Sequence, residues 1–416
     1  SASLVGSEMC IRDRLLFVAN LFCASAQKWY TPEIDQKVED LLKQMTVEEK
    51  LGYIGGVNWM YTKSIDRLGI HRMKMSDGPQ GLGTNGKSTA YPSTVTLAAT
   101  WNENLAYQYG KALGRDCRAR NVNVILGPAV NIYRAPMCGR NFEYMGEDPY
   151  LTSRICVGYI KGVQDQGVMA TVKHFVANNS DYDRNNISND IDERTLNEIY
   201  FPAYKAAIQE AEVEAVMTSY NLMNGIYTTE NPWLLKEVLR NQWGFKGLVM
   251  SDWGSTHYCV PAAKGGLDLE MAGGEKMNPK DMAYYLKTGD VTMDMVDEKV
   301  RHILRILIAF GFKDGTQADK NIPLDDPKSA ETALNVAREG LVLLKNENNI
   351  LPLNPKKYKH IIVTGKNAHG YVHGGGSGAV VPFHYTNLFD GIQKEGEQNN
   401  VKVEYIDELD FMPSIM

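Results

Sequence analysis

The sequence has few cysteines, and it lacks the spacings by which cysteine and histidine bind zinc. Six cysteines occur in 416 residues, and two of them fall within the first 26 residues. The other four are Cys117, Cys138, Cys156 and Cys259. Their spacing matches no metal or redox pattern, and we expect buried apolar thiols rather than a predictable disulfide pairing. An HExxH pattern is also missing, so no metal and no other cofactor is predicted.

The sequence also lacks an excess of positive charge and any long uncharged apolar run. Lysine and arginine number 44 against 50 acidic residues, which gives a formal net charge of -6. A nucleic-acid partner is therefore not expected, and a neutral or weakly polar ligand suits the chain better. Beyond the first 26 residues no apolar run reaches about 18 residues without a charge, so no membrane span is predicted. The composition leaves the oligomeric state open.

The first 26 residues have the pattern of an export leader. Arg12 and Arg14 precede an apolar stretch that Asn20 interrupts, and residues 24–26 offer a small-x-small cleavage pattern. We therefore expect an exported protein, periplasmic or extracellular. A buried N-terminal segment is the alternative.

From residue 27 onward, apolar strand-like runs alternate with amphipathic helical runs. Such alternation is typical of parallel β/α architecture. Six runs are predicted to end near residues 77, 126, 172, 218, 250 and 271. The clearest is Leu248, Val249 and Met250, which lies between glycines and leads into Asp252. We predict an α/β fold with a (β/α)8 TIM-type barrel over residues 27–315.

Local signals mark where several helices begin. Thr31 followed by proline is a helix start, and Thr46 with Glu49 forms a capping box pattern. Another helix should begin at Asp192 and should kink or restart at Pro202.

A second, incomplete domain is predicted after the barrel. Residues 316–355 are interpreted as a linker that includes a helix over residues 331–344. A new β/α pattern then shows a strand near residues 360–365, a glycine-rich loop at 373–382, a helix near 388–393 and a strand at 401–405. Two strands alone do not make a stable domain, so residues 356–416 are expected to be part of an α/β sandwich.

Polar side chains recur at the ends of the predicted barrel strands. They are Asp77, Arg140, Lys173, His174, Tyr220, Asp252 and Trp253. Carboxylates accept hydrogen bonds from sugar hydroxyls, the cations and the imidazole donate to hydroxyl oxygens, and an aromatic plane covers an apolar sugar face. The glycine loop GGGSG lacks the lysine of a phosphate-binding loop. The set therefore favours a sugar-binding site.

Each of these residues also has a purely structural interpretation. Asp77 fits an Asx turn, His174 a core histidine, Asp252 a helix cap, and Arg140 an ion pair with Glu143 or Glu147. Tyr220 and Trp253 fit core positions. A barrel does not need charged groups at so many strand ends on one face, and this favours a functional site for the set as a whole.

Several longer motifs resemble glycoside hydrolase family 3. They are DGPQG from Asp77, GRNFEYMGEDPYL from Gly139, KHFVANN from Lys173, MTSYN from Met217, SDWG from Ser251 and REGLVLLKNENNILPL from Arg338. The resemblance implies a barrel followed by an α/β sandwich, in a retaining exo-β-glycosidase, foremost a β-glucosidase. A β-xylosidase of the same family, or a sugar-binding protein without activity, are the alternatives.

The resemblance also implies roles for individual residues. Asp252 would be the nucleophile, and Met217 would lie beside the sugar. Ser377, in the glycine-rich loop, would lean over the same sugar. Those that would hold the non-reducing-end sugar are Asp77, Arg140, Lys173, His174, Tyr220 and Trp253. Arg140 and Lys173 would keep the nucleophile ionised if they lie near it.

The second carboxyl group is where the sequence departs from the family pattern. A retaining glycosidase needs two carboxyl groups about 5 to 5.5 Å apart. In family members of the β-glucosidase type, the acid/base glutamate lies further along than this sequence extends, and neither Glu404 nor Glu408 has the matching context. The histidine acid of a second branch is replaced here by Val-Ala-Asn-Asn. We therefore expect this chain alone to be nearly inactive.

Overall fold

A computed structural model describes residues 29–84, 86–315 and 317–406. The leader-like segment, Cys10, Cys23 and Glu408 lie outside the described residues. The strands, numbered β1 to β14 in chain order, are Gly56–Val57, Tyr61–Thr62, Met75–Asp77, Lys87–Ser88, Val124–Leu126, Met169–Phe175, Ser188–Asn189, Ala215–Thr218, Leu222–Met223, Ile226–Tyr227, Leu248–Met250, His360–Thr364, Val381–Pro382 and Lys402–Ile406.

The α-helices and π-helices alternate with groups of these strands along the chain. They are Pro32–Gln44, Val47–Tyr53, Thr94–Ala99, Glu103–Ala119, Pro149–Gln164, Glu193–Thr195, Leu196–Tyr200, Pro202–Gln209, Trp233–Gln242, Cys259–Gly265, Pro279–Thr288, Met293–Ala309, Pro327–Gly340 and Leu388–Gln398. Leu196–Tyr200 and Trp233–Gln242 have the wider turns of a π-helix.

The barrel closes as a ring of eight backbone segments. Strands β3, β5, β6, β8 and β11 are adjacent and parallel. Beyond β11, Met250 pairs with Leu269, Glu270 pairs with Gly55 next to β1, β1 pairs with β2, and Tyr61 of β2 pairs with Lys74 next to β3. The predicted barrel is confirmed, but β2 runs antiparallel to both neighbours and no helix separates it from β1.

The predicted helix starts are confirmed. Thr31 accepts a hydrogen bond from the amide of Ile34, and Thr46 and Glu49 form both bonds of the capping box. The Asp192 side chain caps the next helix, which changes to wider turns and restarts at Pro202. These ends agree because a cap depends on residues within one turn of the chain.

The helix predicted over residues 331–344 is displaced. It spans Pro327–Gly340, with the carboxylate of Asp326 as its cap, and residues 341–344 are extended and exposed. The helix packs against Thr94–Ala99 and Glu103–Ala119, where Ser329 donates a hydrogen bond to buried Asp116. The prediction was based on the apolar residues and missed the helix start signal of Asp326 followed by proline. This signal sets the first residue of the helix.

The second domain is represented by one parallel strand pair and one helix. Strands β12 and β14 are parallel neighbours, and helix Leu388–Gln398 packs on β14. The intervening loop returns to the barrel, because β13 in this loop pairs in parallel with β4 of the first domain. The glycine-rich loop is thereby tied to the barrel.

Candidate active site

Four barrel strands end around one cavity of about 320 Å³. Strand β3 ends at Asp77, β6 carries Lys173, and β8 and β11 are followed by Tyr220 and Asp252. Eight of the nine residues predicted for the site line this cavity. They are Asp77, Arg140, Lys173, Met217, Tyr220, Asp252, Trp253 and Ser377. The structure thus brings these side chains together, and their individual roles stay predictions.

Asp252 is nearly buried, and donors surround its carboxylate. Its Oδ1 atom accepts hydrogen bonds from the Tyr220 hydroxyl at 3.0 Å and from the Trp253 amide at 2.8 Å. Its Oδ2 atom lies 3.4 Å from Arg140 Nη1 and 3.4 Å from His174 Nε2. Oδ1 is therefore firmly held, while Oδ2 has only long contacts and is the freer of the two oxygens.

Arg140 joins two carboxylates, those of Glu143 and Asp252. Its Nε atom donates to Glu143, as the structural interpretation expected, while Nη1 faces Asp252. Its third nitrogen, Nη2, lies 3.4 Å from the Ser377 hydroxyl of the second domain. The guanidinium is thus fixed in orientation by partners on three sides.

Glu143 is a buried anion beneath the cavity. Its Oε2 atom lies 3.7 Å from Lys173 Nζ and accepts a hydrogen bond from Ser377 at 3.2 Å. Burial alone would raise the pKa of Glu143, but the charges of Arg140 and Lys173 outweigh it and hold this pKa below its usual value. The carboxyl group is therefore ionised, and Lys173 forms its ion pair with Glu143.

Asp77 contributes a second carboxyl group to the cavity wall. Burial raises the pKa of Asp77, Lys173 opposes that change, and the negative charges of Asp252 and Glu143 add to it. Carboxylates that share a small cavity disfavour each other's ionisation in this way.

His174 is fully buried and is not among the residues that line the cavity. Its Nδ1 atom lies 3.1 Å from the Tyr144 hydroxyl, and its Nε2 atom faces Asp252. Burial, together with the charges of Arg140 and Lys173, lowers the pKa of His174 well below its usual range. The ring is therefore neutral, and it lies behind the Asp252 carboxylate.

Aromatic side chains form part of the cavity rim. The indole of Trp253 donates a hydrogen bond to the carbonyl of Trp59, whose own side chain is 63% exposed. The guanidinium of Arg184 lies 3.7 Å from the centre of the Tyr220 ring and pairs with Asp181. This wall offers both planar apolar faces and hydrogen-bond donors.

The glycine-rich loop of the second domain reaches the cavity because it packs around Phe142. A Cβ atom at Gly374 would lie 2.5 Å from this ring, and one at Gly378 would lie 2.3 Å from it. Only glycine allows the loop backbone this close to the ring. The contact places Ser377 beside Arg140 and Glu143.

The sequence-based site omitted several residues that the structure places there. They are Trp59, Phe142, Tyr144, Asn178, Asp181 and Arg184, and Glu143 was named only as an ion-pair partner. Phe142, Glu143 and Tyr144 belong to the motif that contains Arg140, and Asn178 to the motif of Lys173. Their position next to a predicted site residue in the same motif was the only sequence signal for these four residues. Their contacts with the site are defined by the folded chain.

Neither a metal cluster nor a membrane-spanning helix occurs in the part of the chain that the structure describes. In residues 29–84, 86–315 and 317–406, no group of three or more His, Cys, Asp or Glu side chains could hold a metal ion. In the same residues no helix is long and apolar enough to cross a membrane. Cys117, Cys138, Cys156 and Cys259 are free thiols.

Curated relatives match most of the length of this chain, and solved structures share its fold. The chain is 42% identical over 363 residues to a beta-glucosidase of Rhizobium radiobacter, with 86% of this chain and 44% of the relative covered. It is 38% identical over 371 residues to thermostable beta-glucosidase B of Acetivibrio thermocellus, with 86% and 48% covered. It superimposes on beta-glucosidase 3B from Thermotoga neapolitana in complex with alpha-D-glucose with a TM-score of 0.82 and 36% identity, covering 88% of this chain and 55% of that one.

The fold is a closed β/α barrel, and its strand ends carry the Asp252 carboxylate with Arg140 and Lys173 nearby. This combination of fold and site defines the class of the protein. Residues 45–306 match the model of the glycosyl hydrolase family 3 N-terminal domain, and residues 341–411 match that of the C-terminal domain. The chain belongs to glycoside hydrolase family 3. It spans about half the length of the curated relatives that it matches.

Proposed function

We propose that this chain forms the nucleophile-bearing, sugar-binding part of a retaining exo-β-glycosidase, foremost a β-glucosidase. The observation that carries this proposal is the carboxylate of Asp252 at the cavity. Tyr220 and the Trp253 amide hold its Oδ1 atom, and the freer Oδ2 atom is left to attack an anomeric carbon. A retaining mechanism requires one carboxylate that attacks the anomeric carbon.

The cavity wall supports a sugar as the ligand. Asp77 offers carboxylate oxygens to hydroxyl groups, while Arg140 and Lys173 offer donors. Trp253 offers an apolar face of the kind that covers the C–H groups of a pyranose. The relatives named above are beta-glucosidases, and one solved structure holds glucose, which favours glucose over xylose.

The general acid is proposed to come from a part of the full-length protein beyond the described residues. Glu404 does not supply it here, because its carboxylate pairs with His360 and Lys402 on the second-domain strands. A substrate with a very good leaving group needs no protonation to depart. Such a substrate therefore tests Asp252 even where no acid is in place.

The experiment compares this chain with the variants Asp252→Asn and Asp181→Asn on 2,4-dinitrophenyl β-glucoside and on phenyl β-glucoside. We expect release of dinitrophenol, little release of phenol, and loss of the dinitrophenyl activity by several orders of magnitude in Asp252→Asn. Asp181→Asn is the matched control, because it also removes a carboxylate that lines the cavity. An equal loss in both variants would contradict the assigned role of Asp252.

The same assay separates the alternatives. Faster release from the dinitrophenyl β-xyloside than from the β-glucoside would favour a β-xylosidase. Binding of glucose by calorimetry without any release from either activated glycoside would favour a sugar-binding protein without activity.

We also infer export of the protein, on the leader-like pattern of residues 1–26 alone. Expression in a host with a secretion pathway, followed by N-terminal sequencing, tests this. Cleavage after Ala26 is expected, and an intact N-terminus on intracellular protein would contradict it.

A further inference from the structure

A chain of polar contacts runs from Asn178 through Tyr144 and His174 to Asp252. The Asn178 amide lies 2.8 Å from the Tyr144 hydroxyl, and this hydroxyl lies 3.1 Å from His174 Nδ1. At the far side of the ring, His174 Nε2 lies 3.4 Å from Asp252 Oδ2, a close polar contact that does not reach hydrogen-bond geometry. All four side chains are more than nine-tenths buried, so water does not interrupt the chain.

The hydrogens of this chain can be assigned in two ways. If the Asn178 amide donates to Tyr144, the hydroxyl hydrogen of Tyr144 points to His174 Nδ1, and the neutral ring carries its hydrogen on Nε2. If the Asn178 amide is turned over, Tyr144 donates to its oxygen, and the hydrogen of His174 then lies on Nδ1. In either orientation the other amide atom has no hydrogen-bond partner, so the amide itself does not decide.

The charge at the far end decides between the two assignments. With the hydrogen on Nε2, an N–H group faces the carboxylate of Asp252. With the hydrogen on Nδ1, a lone pair of His174 faces the same carboxylate, which is repulsive in a buried place of low dielectric. A doubly protonated ring is disfavoured by burial and by Arg140, Lys173 and Arg184, against the opposing charge of Asp252.

We infer that Asn178 and Tyr144 are positioning residues that hold His174 in the Nε2–H tautomer, so that it presents an N–H group to Asp252. This inference deepens the proposed function and rests on it, because it gives His174 a role through the nucleophile rather than on the sugar. The same geometry explains why His174 is fully buried yet lies directly behind the reacting group.

The backbone around His174 is fixed in a way that suits this role. The Tyr204 hydroxyl donates to the His174 carbonyl at 2.7 Å, and the Asn131 amide donates to the same carbonyl at 3.0 Å. The side-chain oxygen of Asn131 also accepts a hydrogen bond from the backbone amide of Asn178 at 3.2 Å. The backbones of His174 and Asn178 are thus both held by the Asn131 side chain.

Nitrogen NMR of protein labelled with ring-15N histidine tests the tautomer directly. The chain has eight histidines, and His174→Gln identifies the signal of His174 by its loss. We expect a protonated Nε2 and an unprotonated Nδ1 throughout the pH range in which the protein is folded. A protonated Nδ1 in the unchanged protein would overturn the inference. If His174→Gln fails to fold, His174→Asn serves for the assignment of the signal.

The role of Asn178 is tested by Asn178→Asp, with Asn179→Asp as the matched control. An ionised aspartate has no hydrogen to donate, so at pH 8 it should accept the Tyr144 hydrogen. The ring hydrogen of His174 should then shift from Nε2 to Nδ1, where it is donated to the Tyr144 oxygen. Asn179 makes the same amide-to-phenol contact, 2.9 Å to the Tyr200 hydroxyl, but Tyr200 is not part of this chain. The control therefore adds the same charge one residue away.

We expect a hydrogen on His174 Nδ1 in Asn178→Asp and not in Asn179→Asp. Equal protonation in both variants would attribute the change to charge alone and overturn the positioning role, as would an unprotonated Nδ1 in Asn178→Asp. Titration with a gluco-configured iminosugar is run in parallel. Failure of the unchanged protein to bind it would count against the proposed function, whereas the tautomer result would stand on the spectrum.

Discussion

The contact between the glycine-rich loop and Phe142 makes a direct prediction for Gly378→Ala. The added Cβ atom would lie 2.3, 3.0 and 3.2 Å from three carbon atoms of the Phe142 ring. Carbon atoms in contact normally lie about 3.5 to 4.0 Å apart, so the ring or the loop must move by about 1 Å or more. The φ angle of Gly378 is not in the left-handed region, so the effect reports the contact rather than backbone strain.

The expected magnitude follows from packing and from the neighbouring serine. Overpacking of this kind costs about 1–3 kcal/mol. The loop is the softer partner, and its movement would draw Ser377 away from Glu143 and Arg140, which lie 3.2 and 3.4 Å from its hydroxyl. Loss of a hydrogen bond to a charged group corresponds to about tenfold weaker binding of a ligand that depends on this arrangement.

The assay combines thermal melting with calorimetric titration of glucose for Gly378→Ala, Phe142→Ala and the double variant. Gly370→Ala is the control, because a Cβ atom there would meet nothing closer than 3.8 Å. We expect Gly378→Ala to lower the melting temperature and the affinity, and we expect the loss to shrink when Phe142 is also removed. Effects equal to those of the control, or strictly additive effects in the double variant, would refute the proposed contact.

Three further predictions concern buried ionisable groups. Burial raises the pKa of Glu214 from 4.5 to about 8. Between these two pH values the folded state holds a proton that the unfolded chain releases. The free energy of unfolding therefore falls as pH rises from about 4.5 to about 8. Glu214→Gln should therefore gain free energy of unfolding relative to the unchanged protein as pH rises across that range, by up to about 5 kcal/mol in urea unfolding. A difference that does not vary with pH would be contrary to this. Glu143→Gln removes the anion that Arg140 and Lys173 share and should destabilise the fold by about 3–5 kcal/mol in urea unfolding. A change below about 1 kcal/mol would argue against the network. Ser329→Ala removes one donor from buried Asp116 and should cost about 1–3 kcal/mol, whereas the exposed change Thr332→Ala serves as the control and should cost less.

The barrel was predictable from sequence because its strands are continuous apolar runs. Leu248–Met250 and Ala215–Thr218 are fully buried strands between turn residues. Such apolar runs can be recognised in the sequence without knowing which strand pairs with them. Strands β1 and β2 have two residues each, so no period can be read from them. Their antiparallel pairing depends on closure of the barrel, which only the folded chain defines.

Most of the site was predictable because parallel strand ends meet on one face. Asp77, Lys173 and Asp252 follow from that rule alone. The depth of His174 does not, because the pairing of β6 with β8 shifts register between Val172 and Phe175, and no sequence pattern reports this shift. The packing of Phe142 against Gly378 joins positions more than 230 residues apart, and no local pattern reports it.

The central claim, that Asp252 is the attacking carboxylate, is tested most directly by covalent capture. The protein is treated with 2,4-dinitrophenyl 2-deoxy-2-fluoro-β-glucoside, whose intermediate is slow to hydrolyse, and the labelled peptide is sequenced by mass spectrometry. We expect one fluoroglucosyl group, attached to Asp252. Attachment to Asp77, Asp181 or any other residue would contradict it.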